Sequence, residues 1–437
     1  MKVTFIRPNL YDDRSSDAME PLCFAILKSL TPDNIETTFY DERLEPIPLD
    51  ENTDLVAMTV ETYTARRAYQ IAAEYRKRGV PVVFGGYHPT FLPDEALLHA
   101  DAVVRGDAEG VWGQILEDAQ NGGMQEVYQS SDFPELANVF PDRSIFKGKK
   151  YAPMALVQYG RGCKFNCSFC SIRAFYGNNL RQRPVADVIE DIRRSGKKHI
   201  FLVDDNIFVD VDKARELFTA LIPLKIKWSC QVSIDIARDR ALVRLMAESG
   251  CISALVGFES LDPASLKEIK KGWNVKWQSY DDAIEVFQNE GIMIYGTFVF
   301  GCDNDTPENF DIAVDFAIRH KFILANFNPL TPMPGAPLFD RMEREGRLLH
   351  DRWWLDPEFK YGDATMQPKN MTAEELTTGC FSARQKFNTM KSILHRIGDR
   401  RTNLRSPLRA GVFLLSNYVS RREIYRKQKR ALGGLKT

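Results

Sequence analysis

The stretch GRGCKFNCSFCSI, Gly160 to Ile172, places Cys163, Cys167 and Cys170 in the spacing C-x3-C-x2-C. Thiolates are metal ligands and nucleophiles, so three in one short segment narrow the chemistry. A structural zinc site wants four ligands, and the nearest histidine in sequence is His199. A disulfide would leave one thiol over. A segment carrying Gly162, Lys164 and Asn166 does not read as apolar core. An iron–sulfur cluster fits best. Four-iron clusters normally take four thiolates; with three, one iron keeps an open position for a small molecule, as catalytic zinc does for water.

Such a loop needs a scaffold, and the sequence around it alternates strand and helix signals. Before it, VTFIRP, ETTFYDE, DLVAMTV, VPVVFGG and ADAVVRG read as strands. Leu22, Ile26 and Leu30 mark a helical face, and ARRAYQIAAEYRKRG a second helix that stops at Gly79. This pattern predicts a doubly wound parallel sheet over residues 1–145. Ligands on such sheets bind at the carboxyl ends of the strands: here Pro8-Asn9, Thr59 to Thr64, Gly85-Gly86 and Arg105 to Gly110. Residues 120–150 are polar and read as a linker. From Ala155, six strand candidates follow, ALVQYG, HIFLVDD, KWSCQVSI, CISALVGFE, IMIYGTFVFG and FILANFNPL, with helices stopping at Gly196, Gly250 and Gly291. These predict a partial (β/α)6 barrel over 146–345, with its site at the carboxyl ends of the strands. Residues 346–437 read as a mainly helical, basic C-terminal region. The fold class is α/β: a Rossmann-like domain, a partial barrel and a helical end.

With Phe169 just before its last cysteine, the pattern at the head of this barrel resembles the signature of the radical S-adenosylmethionine (SAM) superfamily. The resemblance implies that SAM chelates the open iron through its amino and carboxylate groups. The reduced 4Fe-4S cluster would then cleave SAM to a 5′-deoxyadenosyl radical, which takes hydrogen from a substrate. It also implies roles along the barrel. Asp204 and Asp205 of VDDN resemble the family's acidic patch near SAM. Glu259 and Ser260 of GFES resemble the strand ending that meets ribose and methionine. Gly296 and Phe298 of GTFVFG resemble the adenine-contacting segment, and Phe169 joins this cofactor set. Gln231 would face the same cavity, and Tyr159 would line it or assist proton movement as a catalytic residue. Each has a plainer reading: Asp204 and Asp205 as loop caps, Glu259 as a solvated strand end, Phe298 and Tyr159 as packing.

A doubly wound domain ahead of such a barrel resembles the cobalamin-binding subgroup of that superfamily. FGGYHPT (Phe84–Thr90), VVRGDAEG (Val103–Gly110) and LTPMPGAPLF (Leu330–Phe339) carry the likeness. It implies cobalamin lying flat on the sheet's carboxyl edge, near Gly85, Gly86, Gly106 and Glu109, and facing the cluster across the domain boundary. The D-x-H-x-x-G motif that gives cobalt a histidine in other cobalamin proteins is absent, and His88 reads as part of a turn. The implied reaction is methylation of an unactivated carbon, with one SAM methylating cob(I)alamin and another giving the radical. Ring formation or rearrangement is the alternative. The implied partners are a reductant such as flavodoxin or ferredoxin and a small-molecule or lipid-like substrate. An iron–sulfur electron relay or a cobalamin sensor would be the non-enzymatic readings.

Charge and composition set outer limits. The chain has 437 residues, 58 Lys and Arg against 59 Asp and Glu, and a net charge of −1, which argues against nucleic acid as partner. No apolar run is long enough to span a membrane, and MKVTFIRPNL enters a strand pattern with no leader-like stretch, so a cytoplasmic protein is expected. From Lys391 to Thr437, however, thirteen basic residues face two acids, Asp399 and Glu423, around the apolar GVFLLSNYV. This segment reads as a solvated helix closing the fold, or as a peripheral membrane contact. Trp353, Trp354, Phe359 and Tyr361 could cover an apolar substrate or equally serve as packing, and Cys302 could reach the cavity. Cys23, Cys230, Cys251 and Cys380 read as small buried residues.

Overall fold

The computed structural model describes residues 1–11, 14–15, 17–276 and 279–433. The apolar runs of the first half are strands β1 (Lys2–Arg7), β2 (Glu36–Asp41), β3 (Leu55–Thr59), β4 (Val82–Gly85), β5 (Ala102–Arg105) and β6 (Val127–Gln129). They form one parallel sheet in the order β2-β1-β3-β4-β5-β6. Strand order reverses at β1, which opens a crevice at the carboxyl edge beside it. Helices Leu22–Ser29 and Trp112–Asn121 cover one face through Phe24, Trp112 and Ile115. Helix Ala65–Lys77 covers the other through Ala68, Ile71 and Tyr75. Burial on both faces explains why these strands read as continuous apolar runs.

The second half holds β7 (Ala155–Val157), β8 (Gly160–Arg161), β9 (Arg181–Gln182), β10 (His199–Leu202), β11 (Lys227–Val232), β12 (Cys251–Glu259), β13 (Met293–Phe300) and β14 (Leu324–Pro329). All six expected barrel strands form, in one parallel sheet ordered β14-β13-β12-β11-β10-β7. The pleat splits each strand in two. Trp228, Cys230, Val256, Phe258, Ile294, Phe298 and Phe300 lie under the outer helices in one apolar core. Ser229, Gln231, Ser253, Leu255, Gly257, Tyr295, Thr297 and Val299 alternate with them and face the hollow of the partial barrel, where burial is incomplete. The antiparallel pair β8–β9 clips together the two ends of the cysteine loop.

Two expectations about the connecting regions need correction. The stretch read as a linker contains β6, paired with β5 from Val103↔Val127 to Arg105↔Gln129. Its later turn, Arg143–Phe146, packs Phe146 on Phe39. A three-residue strand is too short to show a period. The C-terminal region also does not stand apart. Helices Ala373–Phe387, Met390–Ile397 and Pro407–Lys427 pack on the second half. Trp353, Trp354, Phe359 and Leu432 are instead buried in the core of the first domain, so neither tryptophan is placed to cover a substrate. No helix among the described residues is long and apolar enough to cross a membrane.

Candidate active site

Cys163, Cys167 and Cys170 lie on the loop between β8 and helix Ser171–Tyr176, at the carboxyl end of the first barrel strand. Four contacts fix that loop. Ser168 donates its N–H to Ile269 O at 3.0 Å and accepts from Leu338 N–H at 2.9 Å, so the LTPMPGAPLF stretch binds the cysteine loop directly. The Phe165 ring stacks on Trp273 with centroids 3.7 Å apart and planes 10° apart. Gly162, at φ +92°, packs against Asn179 O, where a Cβ has no room. All three cysteines are free. Burial pushes the Cys167 thiol up to about 12 and raises Cys163 and Cys170 as well. Bare thiolates are therefore disfavoured here, and the site suits thiolates neutralised by a cation. Among the described residues no three Cys, His, Asp or Glu groups converge on one ion. Thiols spread around a loop fit a cluster, in which each binds a different iron.

The two aspartates hold the backbone that leads into this loop. Asp204 accepts from the N–H groups of Tyr159, at 3.2 Å, and Gly160. Asp205 accepts from Gly162 N–H at 2.9 Å. Burial raises the Asp204 carboxyl to about 7, the two N–H groups working against it. Their plainer reading, as loop caps, is the one the structure places.

At the end of β12 the register against β13 slips between Gly257 and Glu259. Glu259 adopts φ +62°, and this bulge turns its side chain inward. Glu259 Oε1 accepts from Lys271 Nζ at 2.7 Å, and Oε2 lies 3.5 Å from Thr297 Oγ1. Burial works to lower the Lys271 pKa, but Glu259 beside it outweighs that and holds it above the ordinary value, so the ammonium stays charged. The pair passes over Gly257, where a Cβ would lie 2.7 Å from Nζ and closer still to Oε1. Asn274 supports the strand end by donating to Gly257 O and Phe258 O, each at 3.3 Å. A buried ammonium and a carboxylate beside three thiols can receive the carboxylate and amino groups of an amino-acid ligand. Lys271 was not anticipated. It lies on the loop after GFES and gains meaning only when the bulge brings Glu259 to it; the signal is the paired lysine of KKG, Lys270-Lys271.

Other expected residues fall elsewhere. Gln231 faces the hollow and donates to Asp205 O at 3.2 Å. Ser260 Oγ accepts from Asp262 N–H at 3.1 Å and shapes the following turn. Phe298 is 1% exposed, stacked between Phe258 and Phe327 in the outer core, and Gly296 lets Phe322 approach where a Cβ would clash. Both point away from the hollow because the inward phase of β13 belongs to Tyr295, Thr297 and Val299. Phe169 packs with Ile269, Leu330 and Leu338 in a satellite cluster that also buries Cys302 completely. Tyr159 is 1% exposed within the core, and its hydroxyl has no hydrogen-bond partner among the described residues. It packs rather than lining the cavity.

The carboxyl edge of the first sheet meets the barrel across a cleft of about 330 Å3. Gly85, Gly86, Gly106 and Glu109 line it from one side, Gln158, Arg161 and Val203 from the other, with Tyr87, Phe175 and Tyr176 between. Gly106 has φ +82° and open space where a Cβ would stand. A backbone without side chains, beside aromatic walls, fits a broad flat ligand, and cobalamin suits it on that ground. Cys23, expected to be buried, is exposed on this wall. Glu109 is engaged by the barrel: Arg161 Nη2 pairs with its Oε1 at 2.5 Å and Nη1 with Asp107 Oδ1 at 2.9 Å, while Arg181 reaches Asp107 Oδ2 at 2.6 Å. His88 is fully buried in a helix, Tyr87–Phe91, and not in a loop turn. Its Nε2 lies 2.8 Å from Tyr69 Oη and 3.1 Å from Glu95 Oε1, which also accepts from Trp354 Nε1 at 2.9 Å. His88 therefore anchors the returning chain and is turned away from the cleft.

The sequence profile of the radical SAM superfamily matches residues 157–317, and that of the B12 binding domain matches residues 29–116. The chain is 31% identical over 396 residues to bacteriochlorophyllide d C-12(1)-methyltransferase of Chlorobaculum tepidum, covering 88% of this chain and 86% of that one. It is 32% identical over 364 residues to bacteriochlorophyllide d C-8(2)-methyltransferase of the same organism, covering 78% and 80%. TsrM of Kitasatospora setae, a radical SAM methyltransferase solved with cobalamin and a 4Fe-4S cluster, is alike in fold. Its TM-score is 0.63 at 16% identity, over 79% of this chain and 75% of that one.

Proposed function

The chain belongs to the cobalamin-binding radical SAM methyltransferase family, and from that premise we propose that it methylates an unactivated carbon of a small biosynthetic intermediate. When bound, the 4Fe-4S cluster and SAM supply a 5′-deoxyadenosyl radical, and cobalamin supplies the methyl group. The chain's own residues bind and orient. Cys163, Cys167 and Cys170 would ligate three irons. Lys271 and Glu259 would take the carboxylate and amino groups of SAM, with Thr297 and Gln231 as neutral donors on the hollow's wall. Gly85, Gly86 and Gly106 would seat the corrin, and Tyr87, Phe175 and Tyr176 would exclude water from the space beside it.

The observation that carries this reading is the shared cleft, whose walls come from the carboxyl edges of both sheets and which opens beside the cysteine loop. The hollow suits a substrate body without charge that can take hydrogen bonds: apart from Glu259, the inward residues of β11 to β14 from Ser229 to Asn328 are uncharged, and Ser229, Gln231, Thr297 and Asn326 among them are polar. By their names, the relatives at 31% and 32% identity act on bacteriochlorophyllide d, so a tetrapyrrole side chain is the first substrate class to try. A flavodoxin- or ferredoxin-type donor would reduce the cluster.

Anaerobic reconstitution with iron, sulfide and cobalamin, followed by reductant and SAM carrying a labelled methyl group, tests the proposal. The expected result is 5′-deoxyadenosine, with label passing to a tetrapyrrole acceptor only when cobalamin is present. A chain that forms 5′-deoxyadenosine but passes label equally without cobalamin is not this enzyme. A chain that forms none is not a radical SAM enzyme.

A further inference from the structure

Helix Pro407–Lys427 runs between the two halves of the molecule. Near its start Arg409 donates to the carbonyls of Ile252, at 3.2 Å, and Gly291. At its end Lys427 pairs with Asp17 at 3.0 Å, and Leu432 beyond it lies in the first domain's core. Its inner face buries Phe413, Asn417 and Glu423. Its outer face carries Leu408, Leu414, Leu415, Tyr418 and Tyr425, each between 46% and 65% exposed, at helical spacing. Arg421 and Arg422 are exposed on the same stretch. Neighbouring helix Met390–Ile397, joined to it through Arg396 and Asn417 at 2.8 Å, exposes Met390 and Leu394.

We propose that this face docks on an anionic lipid surface. Exposed apolar side chains gathered on one face, with Arg421 and Arg422 beside them, form a patch that a membrane interface can cover, the basic residues lying at the headgroup level. The charge selects the occupant. From Lys391 on, thirteen basic residues face two acids; both acids, Asp399 and Glu423, are buried, as is Arg396, while Arg421 and Arg422 stand exposed. A second copy of the chain would bring cation against cation. A polynucleotide would meet the charges but leave Leu408, Leu414 and Leu415 in water. An anionic bilayer satisfies both. At the C-terminal end of the stripe, Tyr425 walls a cleft of about 360 Å3 that Thr377, Ser382 and Lys429 also line. Hydroxyls and an ammonium there suit a phosphate headgroup.

Flotation of the full-length protein with phosphatidylglycerol vesicles, against phosphatidylcholine vesicles, tests this. The protein is expected to float with the anionic vesicles only and to be released by salt. The Arg421→Gln/Arg422→Gln variant is expected to lower the partition coefficient about thirtyfold, and Leu414→Ser/Leu415→Ser about tenfold or more. Both should keep the wild-type far-UV circular dichroism and 5′-deoxyadenosine formation, which separates lost docking from lost folding. Three results would each overturn the proposal: no flotation of the wild type, unchanged flotation of both variants, or a concentration-dependent dimer that Leu414→Ser/Leu415→Ser disperses. Retention on a polynucleotide that outcompetes the vesicles would do the same.

Discussion

Lys271 Nζ stands 2.7 Å from Glu259 Oε1, and the pair crosses the bare backbone of Gly257. Both side chains are at most 10% exposed, so removing one charge strands the other. Lys271→Met is expected to cost about 3–5 kcal/mol in chemical denaturation. Glu259→Met/Lys271→Met together should regain most of that stability. Neither variant should form 5′-deoxyadenosine above about 1% of the wild-type rate, since a lost charge-assisted contact of about 3 kcal/mol is worth roughly a hundredfold. Iron and sulfide content should be unchanged in the double variant, which separates ligand binding from cluster assembly.

Asp204 gives the fold a pH dependence of its own. Its carboxyl is raised to about 7 in the folded chain, chiefly by burial, so the folded state holds the proton more tightly than the unfolded state. The resulting stability is complete below the ordinary carboxylate range and is lost as pH rises through about 7. Denaturation midpoints of the wild type should fall across that window. Asp204→Asn should flatten the slope, although the variant is weaker throughout, because one of two N–H groups loses its acceptor.

Arg161 joins the domains through Asp107 and Glu109. Burial alone would raise Glu109, but Arg161 outweighs it and holds the carboxyl below its usual range. Arg161→Met should destabilise by about 3–5 kcal/mol. Two thermal transitions should appear where the wild type shows one, with new proteolytic cleavage near residues 130–150.

Gly86 and Gly106 separate folding from cofactor binding. At Gly86 a Cβ would stand 2.9 Å from Val60 O, and φ is +105°, so Gly86→Ala should damage the loop itself, by about 1–3 kcal/mol. At Gly106 a side chain meets open cleft. Gly106→Val should cost about 1–2 kcal/mol from its φ alone while reducing bound cobalamin, read by absorbance, far more than Gly86→Ala does at equal folded fraction.

The strands of the second sheet were legible because each is an apolar run ended by a turn or glycine, and the three cysteines because no other residues share their spacing. The phase of a strand was not. Thr297 and Phe298 fit equally well at the cavity wall until helices cover one face, and packing assigns Phe298 to the core. Lys271 escaped notice for a related reason: its partner reaches it only through a bulge at Phe258 that no alternation announces. Trp353 and Trp354 were readable as an aromatic, loop-like pair that either covers a substrate or packs, yet their destination lies in a core built more than two hundred residues earlier, as the Trp354–Glu95 hydrogen bond shows.

That destination makes the molecule a clasp rather than two beads on a string. Swinging the halves apart would drag two indoles, both at most 2% exposed, into water at a cost of about 5 kcal/mol. That term alone keeps the gaping fraction below roughly one molecule in several thousand, and the Arg161 pairs lower it further. Large ligands must therefore enter and leave by the rims of the crevice, and the first domain cut out alone would carry a hole where the tail belongs.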